Sequence, residues 1–107
     1  MAQPAIDDNY DLRRAARHRA SYDVLADSKK HGEQKLHIAN ISAHGFMIDN
    51  NVVFEHGDRI EMRLPVVGRI EAHLIWSVDG RAGFQFERVV RLPDFMALID
   101  VVGSKLR

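Results

Sequence analysis

The chain has 107 residues, 46% of them hydrophobic, which fits one globular domain rather than several. Fifteen Lys and Arg balance fifteen Asp and Glu, which excludes a general nucleic-acid coat protein with its strongly basic footprint. There is no cysteine, so disulfides, thiolate catalysis and zinc–thiolate sites are excluded, and the reading is a cytoplasmic protein.

Residues 1–10 read as a polar, flexible N-terminus. Asp7, Asp8 and Asp11 and the lack of an apolar run argue against a secretory signal. No stretch approaches the roughly 18 apolar residues of a membrane span, so direct membrane insertion is not expected. Residues 11–20 form an arm, irregular or helical, that carries Arg13, Arg14, Arg17 and Arg19 with no acid among them. In a helix, Arg13 and Arg17 would share a face. Tyr22 to Ala26 is the first expected strand, followed by a turn over Ser28 to Glu33. Leu36 and Ile38 alternate with His37 and Ala39, as in a strand with one buried face. A polar turn over Asn40 to Gly45 comes next, and Phe46 and Ile48 continue the alternation.

Val52 to Phe54 reads as a short extended piece, and His56-Gly57-Asp58 as a break. Ile60, Met62 and Leu64 alternate with Glu61 and Arg63, which makes the clearest strand in the chain. Ile70, Ala72, Leu74 and Trp76 form the next inward series, so Trp76 is assigned to the core, although Tyr22 and Trp76 could also serve as stacking surfaces. Asp79-Gly80 is a hairpin signal, and Phe84 and Phe86 belong to the returning strand, with Gly83 easing its curvature. The period then changes. Leu92, Phe95, Met96 and Ile99 recur as on one helix face, Pro93 and Asp94 suit its first turn, and Gly103 ends it. The expected architecture is mainly β: a small six-stranded antiparallel barrel with a helix over about 92–102 covering one side, and a tail over 103–107. Closure of this kind hides the edges of short strands.

Two polar groups stand out from this scaffold. The guanidinium groups of Arg13, Arg14 and Arg17, with Arg19 as a further contact, can each hold phosphate oxygens in a forked pair or stack on a purine. Asn40 and Ser42 offer donors and acceptors to a base edge, and Gly45 permits a tight turn or a close approach. His44 is a further candidate for stacking or hydrogen bonding. The pattern fits a phosphate-bearing ligand with a hydrogen-bonding base. It also fits a solubilising basic arm beside a turn whose Asn and Ser bond only to their own backbone. The six histidines have no metal-ligand spacing. No nucleophile elbow, metal cluster or phosphate loop points to an enzyme.

Arg13-Arg14-Ala15-Ala16-Arg17 and Asn40-Ile41-Ser42-Ala43-His44-Gly45 match, in order and separation, an Arg-x-x-x-Arg motif and an Asp/Asn-x-Ser-x-x-Gly motif. With Ile75-Trp76, Gly83-Phe84-Gln85-Phe86 and a terminal helix, the chain over roughly 11–102 resembles the PilZ domain, a bacterial receptor module for the second messenger cyclic di-GMP. The resemblance implies a PilZ-like barrel that binds cyclic di-GMP through Arg13, Arg14, Arg17, Asn40, Ser42 and Gly45, with no cofactor. It also implies an arm that orders when ligand arrives. With one domain, as monomer or weak homodimer, the signal is expected to pass to a separate, unidentified partner protein. The alternative is a degenerate PilZ-like adaptor that binds a protein and no nucleotide. Single-stranded nucleic acid is the weakest rival, because only the arm is basic and the aromatics alternate inward.

Overall fold

Alternating apolar residues become strands here because each strand has one face to bury and a partner on both sides. The computed structural model describes residues 16–50 and 53–103; Arg13 and Arg14 lie outside them. In chain order the elements are β1 (His18–Ser28), β2 (Gly32–Ile41), β3 (Gly45–Ile48), β4 (Arg59–Leu64), β5 (Gly68–Val78), β6 (Arg81–Phe86) and α1 (Leu92–Val102). The strands close into an antiparallel barrel in the order β1-β2-β3-β6-β5-β4. The expected barrel with one C-terminal helix is the fold observed.

Three local expectations need correction. The first strand starts at His18, not Tyr22, so Arg19 is a strand residue opposite Asn40. Val53 and Phe54 belong to no strand. Instead Phe54 is buried and packs edge-on against Phe84, with ring centroids 5.9 Å apart. Trp76 is not core: an irregularity in the β5–β6 register turns it outward and leaves it 37% exposed.

The barrel interior is filled by Leu36, Ile38, Phe46, Ile48, Ile60, Ile70, Leu74 and Phe84, all almost fully buried. Phe46 and Phe84 stack across β3 and β6 at 5.0 Å. One opening is covered by the loop that carries Phe54. Its backbone continues the β4–β5 ladder, with Gly57 N–H donating to Leu74 O (2.9 Å) and Leu74 N–H to Asp58 O (3.0 Å). Lys30, from the β1–β2 turn, donates to Glu55 at 3.1 Å and Asp58 at 3.4 Å and so ties the loop to that hairpin.

At the other end α1 buries Phe95, Leu98 and Val102. Pro93 sits in the first turn of the helix, where its missing N–H costs nothing. Gly103 N–H donates to Ile99 O and closes the last turn. The helix lies against the start of β1, with the His18 ring 5.4 Å from Phe95 and Ala20 bridged to Gly103.

The β5–β6 hairpin turns on Asp79 and Gly80, both at positive φ (50° and 78°). That is the two-residue geometry whose twist suits antiparallel strands and for which Asp-Gly is favoured.

Candidate functional site

Strict alternation would point Asn40 and Trp76 inward with Ile38 and Leu74. Neither points that way, because the register slips by one residue between Ile38 and Asn40 against β3, and between Leu74 and Trp76 against β6. Each slip is a β-bulge, which adds one residue to a strand and reverses the facing of the residues beyond it. The bulges leave Ile38 and Ile41 inside on β2 and put half-buried Asn40 on the outer face. Likewise Leu74 stays inside while Trp76 turns out.

The outer face thereby carries a row that runs across five strands. Arg19 pairs with Asn40, Asn40 with Met47, Met47 with Gly83, and Gly83 with Trp76. At about 4.8 Å per strand spacing, Asn40 and Trp76 lie about 14 Å apart along this surface. Side chains knit the row together. Arg17 Nη1 donates to Asn40 Oδ1 at 2.7 Å, across 23 residues of sequence. Asn40 Nδ2 in turn lies 3.6 Å from Met47 Sδ. The end of the arginine motif and the start of the Asn-x-Ser motif therefore touch.

The rest of the second motif shapes backbone. Ser42 is 3% exposed, and its hydroxyl accepts from His44 N–H at 3.1 Å while Ser42 N–H donates to Gly45 O at 2.8 Å. The local-turn reading of Ser42 is thus the bonding observed. Gly45 does not have a positive φ. It is glycine because a Cβ there would collide with the Phe84 carbonyl oxygen on β6. His44 is exposed at the turn, with its carbonyl accepting from Phe86 N–H. Gly83 plays a different part from the strand-easing role expected of it: the Trp76 indole occupies the space where its Cβ would be. The ring lies over bare backbone with its outer side open.

Beside the row, His37 Nδ1–H donates to Asp23 Oδ1 at 2.7 Å, and Lys35 Nζ is 3.8 Å from the same carboxylate. The His37 hydrogen bond, aided by Lys35, holds Asp23 below the usual carboxylate range. The negative charge near the row is thus already engaged by the His37 hydrogen bond and the Lys35 ammonium.

Sequence reasoning missed the outward turn of Trp76 and the role of Met47. The Ile75-Trp76 and Gly83 pattern marked the place, but a bulge is fixed by the partner strand and leaves no trace in the alternation of one strand. A cavity of about 580 Å³ lies elsewhere, lined by Asp27, Lys30, Asp58, Arg59, Glu61 and Glu71. Lys29 lines it too, so four acids face three bases there, and none of the expected site residues among the described ones lines it. Among the described residues no cluster of His, Asp and Glu is arranged to hold a metal ion, and no helix is long and apolar enough to cross a membrane.

A model of the PilZ domain matches residues 11–103. The chain belongs to the PilZ family. Among solved structures this PilZ domain is similar to the PilZ domain of CeSA from a cellulose-synthesizing bacterium, at 16% identity with a TM-score of 0.57. The match covers 82% of this chain and 95% of the other; at that identity it speaks for the fold alone. No curated protein matches the chain. PilZ domains are non-catalytic receptor or adaptor domains, with a fold consistent with cyclic di-GMP binding.

Proposed function

We propose that this PilZ domain is a receptor for cyclic di-GMP that binds on the outer row from the arginine arm to Trp76. The observation that carries the reading is the 2.7 Å hydrogen bond from Arg17 to Asn40. It joins two motifs that sequence alone could only place in order. Arg17 and Arg19 flank Asn40 from the β1 side and supply guanidinium groups for phosphate oxygens, with Arg13 and Arg14 preceding them in the chain. Asn40 has a carboxamide to offer a guanine edge once Arg17 turns to a phosphate. Trp76 gives a purine a flat surface at the far end. Ser42 and Gly45 act by holding the turn and the β3–β6 contact that set the position of Asn40.

The test is calorimetric titration of cyclic di-GMP into wild type, Arg17→Ala and Asn40→Ala, with GTP and cyclic GMP as controls. A hydrogen bond to a charged group contributes about 1.5–3 kcal/mol, so Arg17→Ala should weaken binding about 10- to 100-fold. Binding of cyclic di-GMP over the controls, lost in this way, supports the receptor. No binding of any nucleotide by wild type would overturn it in favour of the protein-binding adaptor.

A further inference from the structure

We infer that Ser21 is an activated nucleophile that takes an acyl group from an activated ester, with His37 as its base and Asp23 as the group that orients the base. The three side chains come together because alternate residues of a strand share a face. Near the start of β1 the exposed positions are Arg19, Ser21 and Asp23. Asp23 lies opposite His37 of β2, and the register slips between Arg19 and Tyr22. The slip gives β1 one residue more than β2 has, and Ser21 falls inside it. Such bulges re-aim side chains. Here the Ser21 hydroxyl lies beside the His37 ring, with Oγ 3.5 Å from Nε2.

The hydrogen bonds decide what each group can do. Nδ1 of His37 carries the proton that Asp23 accepts at 2.7 Å. A neutral imidazole has one N–H, so its lone pair is then on Nε2, the nitrogen turned to Ser21. Asp23 is kept ionised by that bond, with help from Lys35 3.8 Å away. Carboxylate, imidazole and hydroxyl thus stand in the order that makes a serine a nucleophile, an order known by geometry and not by sequence position. A serine and its base meet at about 2.6–3.2 Å when the proton moves, a distance that a modest rotation about the Ser21 Cα–Cβ bond supplies. Ser21 Oγ then bonds to the ester carbonyl carbon and its proton passes to His37 Nε2. The bond from that carbon to the leaving oxygen breaks, and the proton moves from Nε2 to the leaving oxygen. The products are an ester on Ser21, a free alcohol and a neutral His37. Ser21 is exposed, so an ester reaches it from solvent. It lies within a strand, whereas paired N–H donors to an oxyanion commonly come from a loop or a helix start. The step is therefore one slow acylation that leaves a modification on Ser21, in keeping with a non-catalytic domain. The Arg19–Asn40 pair of the outer row is two residues away on β1, but acylation does not require that the row bind a nucleotide.

The experiment treats the full chain with p-nitrophenyl acetate and follows acetylation of each serine over time by mass-spectrometric peptide mapping. Ser77, likewise exposed on a strand but placed opposite Ala82, is the internal reference. General-base assistance is worth about 100-fold or more in an enclosed site and less in an open one, so Ser21 should be acetylated at least about tenfold faster than Ser77. This comparison needs only the wild-type protein. His37→Gln removes the base and Asp23→Asn the carboxylate; each should bring Ser21 toward the rate of Ser77 in a protein with unchanged circular dichroism. A wild-type Ser21 no faster than Ser77, or a Ser21 rate untouched by both variants, would overturn the proposal. So would an acetyl group that forms on His37 and never reaches Ser21, because the ring would then be the nucleophile itself.

Discussion

Two glycines on neighbouring strands, Gly45 and Gly83, show how differently one residue type can act in this barrel. Gly45 faces the Phe84 carbonyl of the neighbouring strand, whereas Gly83 faces the ring of an exposed tryptophan. Backbone inside a closed ladder has no room to retreat, so Gly45→Ala should destabilise the fold by about 1–3 kcal/mol, read from denaturant midpoints. An indole on the outer face can swing into solvent. Gly83→Ala should therefore cost under about 1 kcal/mol, shift Trp76 emission to the red and weaken cyclic di-GMP binding. Equal losses of stability in the two variants would contradict this assignment. Of the candidate site residues in the described part, Arg17, Asn40, Ser42 and Gly45 could be picked out as candidates because their spacing is a pattern. What each one bonds to could not. The hydroxyl of Ser42 could face a ligand or its own turn until the chain path was known.

At the scale of elements, strand order and the terminal helix could be read from periodicity, since each strand declares its buried face. The bulges on β2 and β5 could not, because an extra residue is tolerated only where the neighbouring strand accepts it. The loop after β3 was misread for a related reason. Phe54 has the look of a strand residue, yet it serves as a plug, and its loop is held by Lys30, Glu55 and Asp58. The Glu55 N–H and the Lys30 ammonium hold Asp58 below its ordinary pKa of 3.8, and Glu55 and Asp58 raise Lys30. A carboxyl depressed in the fold favours folding at pH above its unfolded pKa, and that contribution is lost as pH falls through the folded value. For Lys30 the contribution is present below its unfolded value of 10.5 and is lost as pH rises through the raised one. Thermal midpoints should therefore drop below about pH 4 in wild type, and Asp58→Asn should flatten that acid limb while lowering stability at neutral pH. An acid limb of unchanged slope in the variant would show that this group does not govern it.

For the whole molecule, one short path joins the outer row to the terminal helix. Arg17 bonds to Asn40 on the outer row. Its neighbour His18 lies against Phe95 of the helix, and Ala20 is bridged to Gly103 just past the helix end. No loop or spare residue intervenes between the arm and the helix seat. Replacing His18 with Ala removes the ring that links them. If the proposed row holds cyclic di-GMP, saturating nucleotide should slow amide exchange at Phe95 and Leu98 of α1 as well as on β1 and β2, and His18→Ala should confine that protection to the strands. Protection of the helix that survives the change would send the connection elsewhere through the barrel. The contact of one imidazole with one phenyl ring is thus the place where a change in the arm would first be felt by the helix.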